Sequence, residues 1–318
     1  MEKYAEFDSI ETINDLAEAI KANSHEVEVI NVNKDIKKIL KSKKKQIDLV
    51  FNVAEGLCGE EREALVPRIC EKLNIPFTAA GSQTLINTLN KAKTKEILRL
   101  NGINTTKFQV LNHENEEIEG LAFPLLVKPL LEGSSKGLFN ENLINNKEDL
   151  KKIVKKITER YNQPVIVEEF LKGREFTISV IGYDEPIVLP IVEILFDHLP
   201  KGLHPMDSYE AKWIYDNPGS NMDPLACPAA IDENLKSLIE AICIKTFKAL
   251  DCKDWARIDI RLDKNNVPNI LEVNALPGFM KNPKENSRLP KAAYAAGWSY
   301  ERLIAEVIKS AASRWKIC

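Results

Sequence analysis

Near the C-terminal end of the chain, Ala256-Arg257-Ile258-Asp259-Ile260-Arg261-Leu262 is separated from Ile270-Leu271-Glu272-Val273-Asn274 by the turn-rich Asp263-Lys264-Asn265-Asn266. Both flanks alternate apolar and polar residues, the period of a half-buried strand. The spacing predicts a hairpin with Arg257, Asp259, Glu272 and Asn274 on one face and Ile258, Ile260, Leu271 and Val273 on the other. Two carboxylates and an amide oxygen beside a guanidinium suit a hard divalent cation, and Mg2+ favours few carboxylates plus phosphate oxygens. The hairpin points to phosphate chemistry.

Upstream, the pattern alternates strands and helices. Residues 9–23 read as an amphipathic helix opened by Ser9, 27–32 as a strand, 36–44 as a helix, 47–53 as a buried strand, 60–73 as a helix and 75–78 as a short strand. Such alternation predicts a Rossmann-like parallel sheet. The strand that normally precedes the first helix is missing, through loss of that strand or a late start. A helix over 85–101 leads into strands at 107–111, 125–128, 165–170 and 177–182, with a helix over 147–161 among them. A loop-rich stretch over 200–228, a helix over 232–250, the hairpin and a helix over 300–313 complete the chain. The expected division is 1–84, 85–183 and 184–318.

Bulk properties narrow the class. With 318 residues, 44% apolar and 29% charged, the chain has the composition of an ordinary soluble globular protein. A net charge of −3 and basic runs interleaved with acids read as solvated helix faces, not a nucleic-acid patch. No apolar run approaches a membrane span, and the start lacks signal-peptide blocks. Six scattered cysteines without a CxxC pair read as reduced thiols of a cytoplasmic protein. The four histidines have no metal-ligand spacing, and no GxSxG elbow occurs, so zinc and serine-hydrolase chemistry are not expected.

Further motifs carry phosphate and nucleoside signals. Lys128 ends the apolar strand before Pro129-Leu130-Leu131-Glu132-Gly133-Ser134-Ser135-Lys136-Gly137, whose backbone N–H groups and hydroxyls can wrap phosphate oxygens. On its own this loop reads equally as a polar turn. Val165-Ile166-Val167-Glu168-Glu169-Phe170-Leu171, followed by Glu175, can frame a nucleoside. Backbone groups near Glu169 and Leu171 would read an adenine edge, and Glu175 would hold a ribose hydroxyl. Lys91 and Lys95 lie one helical turn apart, which alone suggests a solvated basic face. In Tyr209-Glu210-Ala211-Lys212-Trp213, Lys212 can reach a γ-phosphate from a mobile lid.

Taken in this order, the motifs resemble the ATP-grasp superfamily, and within it the D-alanine–D-alanine ligases, from about residue 4 to the C-terminus. The resemblance rests on Glu55-Gly56, Ile75-Pro76-Phe77-Thr78, Asn90-Lys91, Lys128-Pro129 with Glu132-Gly133-Ser134-Ser135, and Glu168. It continues through Gly173 with Glu175-Phe176-Thr177, Tyr209-Glu210-Ala211-Lys212, Cys227-Pro228-Ala229, Arg257-Ile258-Asp259, Glu272-Val273-Asn274 and Pro277-Gly278. It implies an α/β chain of the α+β ATP-grasp kind, with two ATP-grasp subdomains enclosing the nucleotide behind the N-terminal Rossmann-like sheet.

The resemblance also implies roles. Lys91 and Lys128 match lysines that hold ATP phosphates; Glu168, Glu169, Phe170, Leu171 and Glu175 lie where the family contacts adenine and ribose. Lys212 matches the lid lysine, and Ser134 and Ser135 the small loop that touches substrate and phosphate. Asp259, Glu272 and Asn274 match ligands of Mg2+ or Mn2+, two ions in all, and Arg257 the arginine that steadies the transferring phosphoryl. The implied partners are small carboxylates and amines, with no nucleic acid and no membrane, and relatives usually form homodimers.

The chain departs from the family where amino acids bind. Glu6 is the nearest candidate for the glutamate that meets the first substrate's amino group. Glu55 replaces a histidine, and Trp213 replaces a tyrosine after the lid lysine. The segment after Pro277-Gly278 is longer and more basic, and Arg288 or Lys284 is placed to meet a larger or more acidic substrate. The expected function is an ATP-dependent carboxylate–amine ligase with an altered substrate site. The alternatives are an authentic D-alanine–D-alanine ligase and an ATP-binding regulatory protein with decayed catalysis; the complete Arg257, Asp259, Glu272 and Asn274 set speaks against decay.

Overall fold

Caps and apolar stripes set the helices of this computed structural model, which describes residues 7–56, 59–216 and 223–317. Helix α1 (Ile10–Ala22) opens at Ser9, whose hydroxyl accepts the Thr12 amide at 3.1 Å. Helices α2 (Ile36–Lys43) and α3 (Leu65–Leu73) bury Ile36, Leu40, Val66, Ile69 and Cys70 around Phe77 in a small N-terminal core. The parallel sheet expected here is reduced, among the described residues, to one parallel bridge between Val50 and Phe77. Residues 27–32 form no strand, and Val29 and Val32 are exposed. A strand exists through its hydrogen-bonded neighbour, and none of the described residues lies paired beside this one.

The helix expected over 85–101 is two helices, α4 (Ser82–Leu89) and α5 (Lys91–Leu100). Asn90 breaks it: its side chain accepts the Lys93 amide at 3.1 Å and caps α5, a role in which Asn competes with helix continuation.

Strands β1 (Phe108–Leu111), β2 (Leu125–Pro129), β3 (Leu143–Ile144) and, after α6 (Lys147–Tyr161), β4 (Val165–Glu169) form an antiparallel sheet in the order β1-β4-β2-β3. The α6 stripe Leu150, Ile153, Val154 and Ile157 packs on it with Val127 and Val167, the i, i+3, i+4, i+7 face of an amphipathic helix.

The second sheet is built from β5 (Glu175–Gly182), β6 (Ile187–Val188), β7 (Val192–Ile194), β8 (Leu225–Ala226), β9 (Asp254–Leu262) and β10 (Pro268–Asn274). Its order is β10-β9-β5-β7-β8, with β6 also paired to β5. Gly173 leads into β5 so close to the facing strand that a Cβ would lie 2.4 Å from the Leu262 carbonyl oxygen; only glycine fits. Helices α7 (Glu233–Ala249), α8 (Arg288–Ala295) and α9 (Tyr300–Trp315) join α1 in the largest core against this sheet.

The hairpin forms where the alternation places it, with one correction. Asp263 accepts the amides of Asn265 and Val267 at 2.7 and 2.9 Å and shapes the turn. Ile270 pairs with Ile260, but Glu272 pairs with Asp259, so Leu271 is an extra, bulged residue. It lines the cleft beside Glu272 instead of packing with Ile258 and Ile260. Among the described residues, no helix is long and apolar enough to cross a membrane.

Candidate active site

A cleft opens between the two sheets, walled by Lys91, Lys128, Glu168, Phe170 and Leu171 on one side and by Glu175, Asp259, Leu271 and Glu272 on the other. The ladder register puts Asp259 directly opposite Glu272, and Arg257 opposite Asn274. Like charges facing across strands are destabilising unless a cation lies with them. Arg257 supplies one: its Nη2 lies 2.8 Å from Asp259 Oδ2 and 3.7 Å from Glu272 Oε1. Burial opposes the ionised Asp259 carboxylate, but the Arg257 guanidinium outweighs it and holds the group below its usual range.

These residues fit a divalent ion. Among the described residues no cluster of three His, Cys, Asp or Glu side chains is set to hold a metal; the donors here are two carboxylates and the Asn274 amide. Asn274 Oδ1 accepts the Leu276 amide at 2.9 Å, which fixes its direction and leaves a second lone pair. A site short of protein ligands suits Mg2+, which completes its octahedron with water and phosphate oxygens.

On the opposite wall, buried Glu168 is held by two lysines. Its Oε1 lies 2.8 Å from Lys95 Nζ and its Oε2 2.9 Å from Lys128 Nζ. Burial pushes the carboxyl up, yet Lys128 and Lys95 together outweigh it and hold it at about 2. Lys128 is shifted above its ordinary value: burial lowers it, and Glu168 with Glu272 more than restores it. Lys91 donates to the Glu132 carbonyl, and burial lowers its pKa.

The segment beyond β4 forms the apolar end. The Glu169 amide is already given to the Lys107 carbonyl at 3.1 Å, and the Phe170 amide to that of Pro124 at 3.0 Å. The backbone N–H of Leu171 makes no hydrogen bond among the described residues, so it, and not Glu169, is the donor open to a ligand's edge. Arg261 organises this end. It bonds Glu175 at 2.8 Å, the Pro205 carbonyl at 2.6 Å and the Gly173 carbonyl at 3.1 Å, and covers the Phe170 ring at 4.6 Å. Burial lifts Glu175 to about 7 against this arginine.

The stretch expected to act as a lid forms a single π-helical turn, Ala211–Tyr215, against the Ser134–Ser135 loop of the cleft. Trp213 Nε1 donates to the Ser134 carbonyl at 3.0 Å and Ser135 Oγ to the Asp207 carbonyl at 2.8 Å. The Tyr209 ring packs 5.5 Å from that of Phe139. Ser134 and Ser135 both take left-handed backbone, φ 50° and 58°, which aims the loop at the lid. Burial, then the nearby Arg288 charge, lowers Lys212 to about 8.

Residues 97–309 match the family described as the D-ala D-ala ligase C-terminus. The chain belongs to the D-alanine–D-alanine ligase family. This is an ATP-grasp family of ATP-dependent, ADP-forming C–N ligases. The uncharacterised protein y4sG of Sinorhizobium fredii is 35% identical over 84% of this chain and 75% of its own length. The D-alanine–D-alanine ligase of Pelotomaculum thermopropionicum is 29% identical over 95% of this chain and 92% of its own. The crystal structure of the D-alanine–D-alanine ligase of Bacillus anthracis complexed with ATP superposes with a TM-score of 0.74 at 25% identity, covering 98% of this chain and 96% of that one.

Set against this family, the expected site residues fall into groups. Lys91, Lys128, Ser135, Glu168, Glu169, Phe170, Leu171, Glu175, Asp259 and Glu272 line the cleft. Arg257 and Asn274 stand beside them on the hairpin, and Ser134, Lys212 and Trp213 belong to the lid and its seat. Arg288 is 8% exposed and lies 2.7 Å from the lid-side carboxylate of Asp207, with its Nε buried and without an acceptor among the described residues. Glu55 does not line the cleft, and Glu6 lies outside the described residues. Asp8 lies near Gly278, and burial lifts it to about 6. Sequence reasoning missed Lys95, Asp207 and Arg261. For Arg261 the signal was present: it is the next polar position, i+2, after Asp259 on β9.

Proposed function

We propose that this ligase joins the carboxylate of one amino acid or short peptide to the amine of another through an acyl phosphate, with a substrate site altered from that for D-alanine. The observation that carries the reading is the placement of Arg257, Asp259 and Glu272 across the cleft from Lys91 and Lys128.

In this reading, the substrate carboxylate oxygen attacks the γ-phosphorus and ADP leaves; the amine then attacks the acyl carbon and phosphate leaves. Both steps gather negative charge on oxygens, so catalysis is positioning plus cationic stabilisation. Lys91 and Lys128 bind the phosphates, and Leu171 with the Phe170 ring receives the base. The lid brings Lys212 to the γ-phosphate and shields the acyl phosphate from water. Asp259, Glu272 and Asn274 would hold one or two Mg2+ ions, which neutralise phosphate charge and polarise the transferring group. Arg257 offers a planar fork that matches two oxygens at once.

Arg288 supports an altered substrate. It is a buried guanidinium joined to one carboxylate through one nitrogen, and it keeps donor capacity that an additional acidic group would satisfy. The near full-length likeness to the Pelotomaculum enzyme supports the second reading, ligation of D-alanine to itself. ADP formation measured with Mg2+-ATP and pools of D- and L-amino acids separates them. Turnover with an acidic amino acid supports the first reading, turnover with D-alanine alone the second, and no stimulation by any amino acid or dipeptide overturns both.

A further inference from the structure

Lys95 is not on a solvated basic face. It is 0% exposed, and its ammonium meets Thr105 Oγ1 and Thr106 Oγ1 at 2.9 Å each, and Glu168 Oε1 at 2.8 Å. Two of its three N–H donors are given to the threonine hydroxyls, and the carboxylate supplies the counter-charge. Two of these partners lead onward. Glu168 holds Lys128 with its other oxygen at 2.9 Å. The Thr105 hydroxyl, having accepted from Lys95, donates to the Ile270 carbonyl at 2.7 Å, and the Ile270 amide donates to Asn104 at 2.9 Å. Ile270 is the last regularly paired residue before the bulge that sets Glu272 opposite Asp259.

One buried charge therefore connects, in one direction, to a lysine facing the phosphates and, in the other, to the strand that presents a metal ligand. We propose that Lys95 is a positioning residue that couples the phosphate-binding lysine to the metal-binding strand. This rests on the ligase reading of Lys128 and Glu272. Losing Lys95 leaves Glu168 with a single cation in a buried site, where an uncompensated charge is costly, and frees both Lys128 and the bulge.

Calorimetric titration of ATP in EDTA and then in rising Mg2+ tests this, with folding of each variant checked by circular dichroism. K95M weakens ATP binding in EDTA by about tenfold or more, the scale of a charge-assisted hydrogen bond, and raises the Mg2+ needed for tight binding. T105V keeps the side-chain shape and removes both the acceptor for Lys95 and the donor to Ile270, while the Lys95–Glu168–Lys128 branch stays in place. It leaves binding in EDTA within about twofold and raises the Mg2+ requirement by about tenfold. A folded K95M that matches wild type in both titrations overturns the inference, as does a T105V that weakens both equally. If K95M does not fold, T105V decides, and wild-type behaviour in both titrations overturns the coupling. Wild-type protein that binds no ATP overturns the ligase reading itself; wild-type binding with indifferent variants overturns the coupling alone.

Discussion

At the sheet end of the cleft, Glu168 is gripped by Lys95 and Lys128 at 2.8 and 2.9 Å. At the lid end, Arg288 reaches Asp207 through one nitrogen and its Nε has no acceptor among the described residues. In the first set one buried carboxylate is matched by two cations, so its charges are paired before any ligand arrives. The second keeps unused donors, a depressed Lys212 and a Trp213 that is 41% exposed. On the proposed reading, the parts that serve the triphosphate, which every substrate pair shares, hold paired charges, and the parts that meet the variable substrate retain capacity. Preorganisation lowers the cost of binding, whereas unsatisfied buried groups select the partner that completes them.

The largest effect is expected where both ends depend on one group. Arg257→Met lowers kcat by roughly 10³-fold or more, the scale of an arginine that stabilises phosphoryl transfer, with little change in the far-UV spectrum. A loss under tenfold would place the transferring phosphoryl away from β9.

Next comes a pH effect confined to the lid. Lys212 titrates at about 8, below its ordinary value, because burial and Arg288 disfavour its charge. It is cationic below that pH and neutral above it. The value of kcat/KM for ATP is therefore level below about pH 8 and falls about tenfold per unit above it. Lys212→Arg, whose charge does not titrate in this range, removes the alkaline fall. An alkaline limb that survives in that variant assigns the titration to another group.

The smallest effect belongs to the substrate side alone. Arg288→Leu raises KM for the preferred amino acid by roughly 10-fold to 100-fold, the worth of a hydrogen bond to a charged group, and leaves KM for ATP within about twofold. Equal changes in both would make Arg288 a latch for the lid through Asp207 and not a selector.

How far the sequence could be read follows the same division. Alternation located β9 and β10, and an apolar stripe opened by Ser9 located α1, because these signals are carried by near neighbours in the chain. The bulge at Leu271 has no local mark; it is set by the pairing partner, and it moved that side chain to the other face. Lys95 read as a surface residue because nothing within one helical turn reveals that Glu168 lies across from it. Arg261 was likewise just another polar position on a strand until folding brought Gly173, Glu175 and Pro205 around it. Residues 27–32 had a strand's composition, but strand formation needs a neighbour that composition does not supply. The substrate end was the least legible, since its meaning depends on groups, such as the Nε of Arg288, that the fold buries without an acceptor among the described residues.

The central claim is that the opposed carboxylates of β9 and β10 hold a metal ion against a triphosphate whose other side rests on Lys91 and Lys128. Crystals grown with Mn2+ and a non-hydrolysable ATP analogue test it through the anomalous signal of the metal. The account predicts an anomalous peak bridging Asp259, Glu272 and the phosphate oxygens, with the base against Phe170 and Leu171. A peak elsewhere, or a nucleotide bound outside the cleft between the sheets, would contradict it.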